Sequence, residues 1–142
     1  MSTAKTILAA LLCAVDECPH RLEEEGGIIL NKDEDYMFVR VKNIHEATQT
    51  AHGLYETDLV ELKDKIFTRM TEGWKMHASF HTHPMFGASP SSLDINKLFQ
   101  GFPQNYIYSP IQKTYSLTTW KDNDWHVQFI TKNHVEDLEK LN

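Results

Sequence analysis

Two histidines one residue apart, His81 and His83, followed by Pro84 and then by Ser91 and Asp94, set the tightest condition on the fold. In an extended strand, residues i and i+2 project to one face about 6.6 Å apart, so both imidazoles can reach a common ion. Pro84 ends that strand because it cannot donate to the ladder. The chain is then expected to loop through Gly87 and enter a helix at Ser91, which returns the Asp94 carboxylate to the same point. Two histidines and one carboxylate with an open fourth position form the ligand set of a catalytic zinc, whereas a structural zinc is closed by four protein ligands. Ser91-x-x-Asp94 is also a capping box, in which both side chains satisfy orphan N–H groups, and the two roles are compatible.

The rest of the chain supplies the elements such a site needs. Ile7, Leu8, Leu11, Leu12 and Val15 fall on one face at helical spacing, which predicts an N-terminal amphipathic helix capped by Ser2 or Thr3 and stopped before Pro19. Gly26 to Leu30 reads as a buried strand. Tyr36 to Ile44 alternates apolar and polar residues, so these two runs form a hairpin turning near Asn31 to Asp35. Thr57 to Met70 predicts a second amphipathic helix with Leu59, Leu62, Ile66 and Met70 on its stripe, flanked by Val60 and Phe67 and ended by Gly73. Strands follow at Met76 to His81 and Tyr106 to Tyr108, with a helix over Ser91 to Phe99 between them. Thr114 to Trp120 and Trp125 to Thr131 make a terminal hairpin around Lys121 to Asp124, and His134 to Leu141 predicts a closing helix. Alternating helices and strands imply an α/β layered fold with a mixed sheet. No linker or repeat interrupts the pattern, so residues 1–142 are expected to form a single domain.

Charge excludes several partners. The 14 Lys and Arg against 20 Asp and Glu leave a net charge of −6, with no basic cluster to track phosphates, so neither nucleic acid nor a membrane surface is an expected partner. Ile7 to Val15 is too short to span a bilayer and has a poor flank for a secretory signal, since Asp16 and Glu17 follow at once. Cys13 and Cys18 are the only cysteines. They are too close for an easy disulfide and have no second pair with which to hold zinc, and we read them as reduced thiols of a cytoplasmic protein.

The pattern His81-x-His83-Pro84-x6-Ser91-x-x-Asp94 resembles that of the JAMM (MPN+) zinc metalloproteases, the JAB-domain enzymes. Those enzymes also carry a glutamate shortly before a Gly-aliphatic strand, and Glu23-Glu24-Glu25-Gly26-Gly27-Ile28 is similar. Counting back three from Gly27 selects Glu24, with Glu23 and Glu25 its neighbours in the same acidic run. The resemblance implies a cytidine-deaminase-like α-β-α fold and hydrolysis of a peptide or isopeptide bond, often after the C-terminal glycine of a ubiquitin-like protein. It also implies one catalytic Zn2+ with a bound water, held by His81, His83 and Asp94, with Glu24 as the catalytic proton carrier and Ser91 as a donor to the oxyanion. The larger deubiquitinases of the family carry insertions for which 142 residues leave no room. A minimal, prokaryote-like member is therefore expected, its partner a ubiquitin-like modifier or a sulfur-carrier protein with an extended Gly-Gly tail. Small members of this kind occur beside bacterial conjugation systems, antiphage ones among them.

Other functions fit less well. A non-haem iron enzyme uses the same ligand types, but in its common form the carboxylate lies between remote histidines as His-x-Asp. A zinc nucleobase deaminase needs Pro-Cys-x-x-Cys, and no cysteine follows position 18. A non-catalytic scaffold would have lost ligands that are all present here. Of the remaining histidines, His20, His45, His52, His126 and His134 lack ligand spacing, and His77, on the same strand face as His81, lies about 13 Å from it along the strand. Trp120 and Trp125 are expected to pack on the terminal hairpin, and Met85 and Phe86 to fill or line the loop between the ligands.

Overall fold

Turn chemistry fixes the two hairpins. In the computed structural model, which describes residues 3–19, 22–41, 59–96 and 101–131, β1 (Gly26–Lys32) pairs antiparallel with β2 (Asp35–Val41), Lys32 facing Asp35 across a two-residue turn. Asp33 takes the left-handed conformation there, with φ of 54°. The second hairpin joins β5 (Thr114–Lys121) to β6 (Asp124–Thr131) through Asp122 and Asn123, at φ of 55° and 61°. Two successive left-handed residues of Asx type make the turn whose twist matches that of the flanking strands.

Between the hairpins lie β3 (Lys75–Thr82) and β4 (Gln104–Ser109), and the described sheet runs β2-β1-β3-β4-β5-β6. Every neighbouring pair is antiparallel except β3 and β4, which are parallel. A parallel pair requires a crossover. That crossover carries the segment after His83 and the short helix α3 (Ser92–Asn96).

Helix α1 (Ile7–Glu17) covers one face of the sheet, where Ile29, Phe38, Ala78, Phe80 and Tyr106 meet Ile7, Ala10, Leu11 and Ala14. Helix α2 (Leu59–Thr71) covers the other, with Leu62 and Ile66 against Ile28, Leu30, Val39, Val41 and Trp74. The layered α/β expectation therefore holds, with corrections of detail. Thr6 caps α1, its hydroxyl accepting from the Ala9 N–H at 3.1 Å, while Ala4 pairs with Tyr36 at the sheet edge. Ser2 lies outside the described residues, and Thr3 is not the cap. The contact face of α1 includes Ala10 and Ala14, whose small side chains admit a close approach, whereas Leu12 is 52% exposed. On α2 the flanking Val60 and Phe67 are exposed, as is Met70 at the end of the expected stripe. β4 is longer than expected, and the parts of the expected elements at 42–44, 57–58, 97–99 and 134–141 lie outside the described residues. No described helix is long and apolar enough to cross a membrane.

Candidate metal centre

His81 and His83 stand at the C-terminal end of β3 and just beyond it. Both are buried, and their Nε2 atoms lie 3.1 Å apart. The His83 N–H donates to the Tyr108 carbonyl at 2.9 Å, which carries the β3–β4 pairing past the end of the assigned strand. Two-residue alternation explains the convergence, since the intervening Thr82 points away from the histidines.

Thr82 explains how a distant glutamate arrives. Its N–H donates to the Glu25 carbonyl at 2.8 Å, and its hydroxyl accepts from the Glu25 N–H at 3.1 Å. Beside this junction Gly26 faces His81, and a Cβ on Gly26 would sit 2.2 Å from the Phe80 carbonyl oxygen. Only glycine permits so close an approach. With Glu25 stitched to β3, successive side chains point to opposite sides. Glu25 forms an ion pair with Arg40, while Glu24, only 2% exposed, puts Oε1 3.7 Å from His81 Nε2 and 3.9 Å from His83 Nε2. Glu23 is outside the cluster. The acidic run thus resolves into three environments.

Asp94 enters from α3. The Ser91 N–H donates to Asp94 Oδ2 at 2.8 Å and the Asp94 N–H donates to Ser91 Oγ at 3.1 Å, a reciprocal capping box. That box holds Asp94 Oδ1 3.2 Å from His81 Nε2 and Oδ2 3.3 Å from His83 Nε2. Among the described residues, ligand atoms of Glu24, His81, His83 and Asp94 all lie within 4.8 Å of one another.

This donor set fits a tetrahedral cation. At metal–ligand distances of about 2.0–2.1 Å, the edge of a tetrahedron is about 3.3 Å. The contacts among His81, His83 and Asp94 span 3.1 to 3.3 Å, whereas those of Glu24 are longer, at 3.7 and 3.9 Å. Three residues therefore have ligand spacing, and Glu24 stands off. The tautomer of His83 agrees. Its Nδ1 lies 2.9 Å from the Gly87 carbonyl, which can only accept, so Nδ1 carries the proton and the Nε2 lone pair faces the cluster.

The electrostatics point the same way. Burial, and then the charge of Asp94, push the Glu24 carboxyl up to about 9. Burial would also raise Asp94, but the nearby His81 and His83 rings and the hydrogen bond from the Ser91 N–H outweigh it and hold that carboxyl well below the usual range. Burial lowers His81 against the pull of Asp94, so its imidazole resists protonation. Two carboxyl groups and two imidazoles closing on one buried space are a donor set that a divalent cation satisfies.

The structure thus brings together all four residues of the expected cluster, and places Ser91 beside it as the cap of α3. His77 is not on the His81 side. A register shift of β1 against β3 between Ile29 and Leu30 accompanies a rotation of its ring onto Tyr36, which packs with the α1 core. Trp120 and Trp125 stack edge to face at 5.0 Å on the terminal hairpin, and Met85 and Phe86 are exposed. Cys13 and Cys18 are free, burial raising the Cys18 thiol to about 12. Thr82 and Arg40 escaped the sequence reading. The middle position of His-x-His was the available signal for Thr82, while nothing local marked Arg40.

Comparison with curated proteins gives no match. Among solved structures, the chain is similar to the solution structure of protein DSY2949 from Desulfitobacterium hafniense, with a TM-score of 0.60 and 19% identity over 91% of this chain and 90% of that one. At that identity the likeness concerns the fold. A family model described as prokaryotic homologs of the JAB domain matches residues 8–125. With that match over most of its length and a buried Glu-His-His-Asp cluster suited to a metal-dependent hydrolase, the chain belongs to the prokaryotic JAB-domain family.

Proposed function

We propose that this domain is a zinc-dependent protease or isopeptidase that cleaves after the C-terminal glycine of a ubiquitin-like or sulfur-carrier protein. One observation carries the hydrolytic part of the reading, while the substrate class follows the family resemblance: three side chains have the spacing of tetrahedral ligands while a buried fourth, Glu24, stands 3.7 and 3.9 Å from the two histidine nitrogens. A glutamate at that distance is too far to complete the ligand shell and near enough to exchange a proton with a molecule held between. His81, His83 and Asp94 would hold the ion. When bound, Zn2+ supplies Lewis acidity and brings the acidity of a coordinated water near neutral pH.

The chain's own residues do the rest. Glu24 Oε1 takes a proton from the attacking water and returns it to the leaving amine, so one carboxyl serves as base and then as acid. The same burial that raises it in the metal-free protein keeps bulk water from competing for the proton, and a neighbouring cation lowers it into working range. Ser91 Oγ already accepts from the Asp94 N–H, which leaves its own hydrogen available for the developing oxyanion. That donor contributes about 3 kcal/mol if it behaves as other oxyanion donors do. The free cysteines suit a reducing compartment, and we assign the protein to the cytoplasm.

The test is cleavage of ubiquitin-like and sulfur-carrier proteins bearing C-terminal extensions or isopeptide-linked lysine, read by intact mass, with Glu24→Gln alongside. Zinc-dependent release after the terminal glycine, lost in Glu24→Gln while zinc stays bound, is the expected result. Activity that survives Glu24→Gln removes Glu24 from the proton transfer, and a protein that binds no zinc overturns the reading.

A further inference from the structure

The segment between the ligands is held by an unusual row of bonds. Three successive carbonyls each accept from a buried side chain: Phe86 from Ser109 Oγ at 2.6 Å, Gly87 from His83 Nδ1 at 2.9 Å, and Ala88 from Ser116 Oγ at 2.6 Å. Ser109 and Ser116 have no exposed surface. They come from β4 and β5, outside the motif, and reach the site because the register aligns His81 with Ile107 and Ile107 with Ser116 across the sheet. A serine hydroxyl buried to this degree needs a partner, and each finds one loop carbonyl. Gln112 closes the loop from outside, its Oε1 lying 2.8 Å from where a Cβ on Gly87 would stand.

We infer that Ser109 and Ser116 are positioning residues of the metal centre: by fixing the carbonyls on either side of Gly87, they hold the one carbonyl that orients the His83 ring. The inference rests on the metal-centre reading and extends it to two residues with no metal-ligating chemistry of their own. A carbonyl fixed at both neighbours cannot rotate away from His83 Nδ1. The ring is then locked in the tautomer and direction that present Nε2 to His81 and Asp94. Outer partners that orient a ligand histidine typically matter ten- to a hundredfold in metal affinity.

Histidine side-chain NMR on the metal-free protein, together with Zn2+ competition against a chelator, tests this. Wild type is expected to carry the His83 proton on Nδ1. Ser109→Ala and Ser116→Ala should each move part of that population to Nε2 and weaken Zn2+ binding about tenfold. Thr118→Val is the control. Thr118 is fully buried two residues along β5 on the same face, and its Oγ1 makes no hydrogen bond among the described residues, so the change should alter stability alone. Ser109→Ala stands in if Ser116→Ala does not fold. A His83 proton on Nε2 in wild type overturns the inference without any variant, as do serine variants whose tautomer and affinity match wild type. If wild type binds no Zn2+, the metal-centre reading fails, and the wild-type tautomer still decides the orientation of His83.

Discussion

Glu24 shows how one residue acquires a property its neighbours lack. In an unfolded chain its carboxyl ionises near 4.5, and in the fold it is pushed up to about 9. The folded state therefore binds an extra proton between these values, and stability falls as pH rises through that window. The denaturation midpoint of metal-free protein should drop between pH 6 and pH 9, by on the order of a few kcal/mol in stability, and Glu24→Gln should flatten the slope. A wild-type midpoint that holds steady or climbs over that range would contradict the burial argument. Asp94 has the opposite sign, its contribution being present above the ordinary carboxylate range and lost as acid protonates it. The histidine pair and Asp94 were legible because strand alternation and a capping box are local rules. Three consecutive glutamates look alike until the Glu25–Thr82 junction decides which one turns inward. Ser109 and Ser116 left no trace in the sequence because their partners are backbone carbonyls brought by the crossover.

At the scale of elements, the closeness of β1 to β3 is what delivers Glu24 to the histidines. Gly26→Ala places a methyl 2.2 Å from the Phe80 carbonyl oxygen, so the strands must separate where the cluster forms. Loss of Zn2+ binding with a stability cost of about 2 kcal/mol or more is expected from denaturant titration and chelator competition. Gly101→Ala, with nothing within 4 Å of the new carbon, should change both by little. Unaltered zinc affinity in Gly26→Ala would show that the approach is not needed. Both hairpins, both long helices and the mixed character of the sheet followed from periodicity and turn residues, whereas the strand order did not. What periodicity missed was the register shift that turns His77 to the α1 side and the use of Ala10 and Ala14 as the contact face of α1, since large apolar side chains dominate a helical stripe and draw the eye to the leucines.

At the scale of the whole molecule, the cluster joins the entry to β1, the end of β3 and the start of α3, three points far apart in sequence. A ligand that binds only the folded form stabilises it in proportion to the logarithm of its concentration over Kd. Zn2+ at a hundredfold excess over Kd should add about 2.7 kcal/mol, or about 10 °C in Tm for a chain of this size. His83→Ala should lose that increment, and calorimetry with and without chelator would show it. An equal shift in His83→Ala would place the ion elsewhere. The strand order has a further meaning for how such a chain can change. β2 and β6 form the rims of the described sheet, and the ligand strand lies in its interior. Growth at the rims, as at the Asp122-Asn123 turn, lengthens the chain without shifting the frame in which the ligands meet, whereas a residue gained between His81 and His83, or between Ser91 and Asp94, breaks the strand alternation or the capping box that sets it. Diversification by insertion is therefore open at the periphery and closed within the two ligand spacings, so lineages built on this plan can vary their outer surface while the ligand frame stays constant.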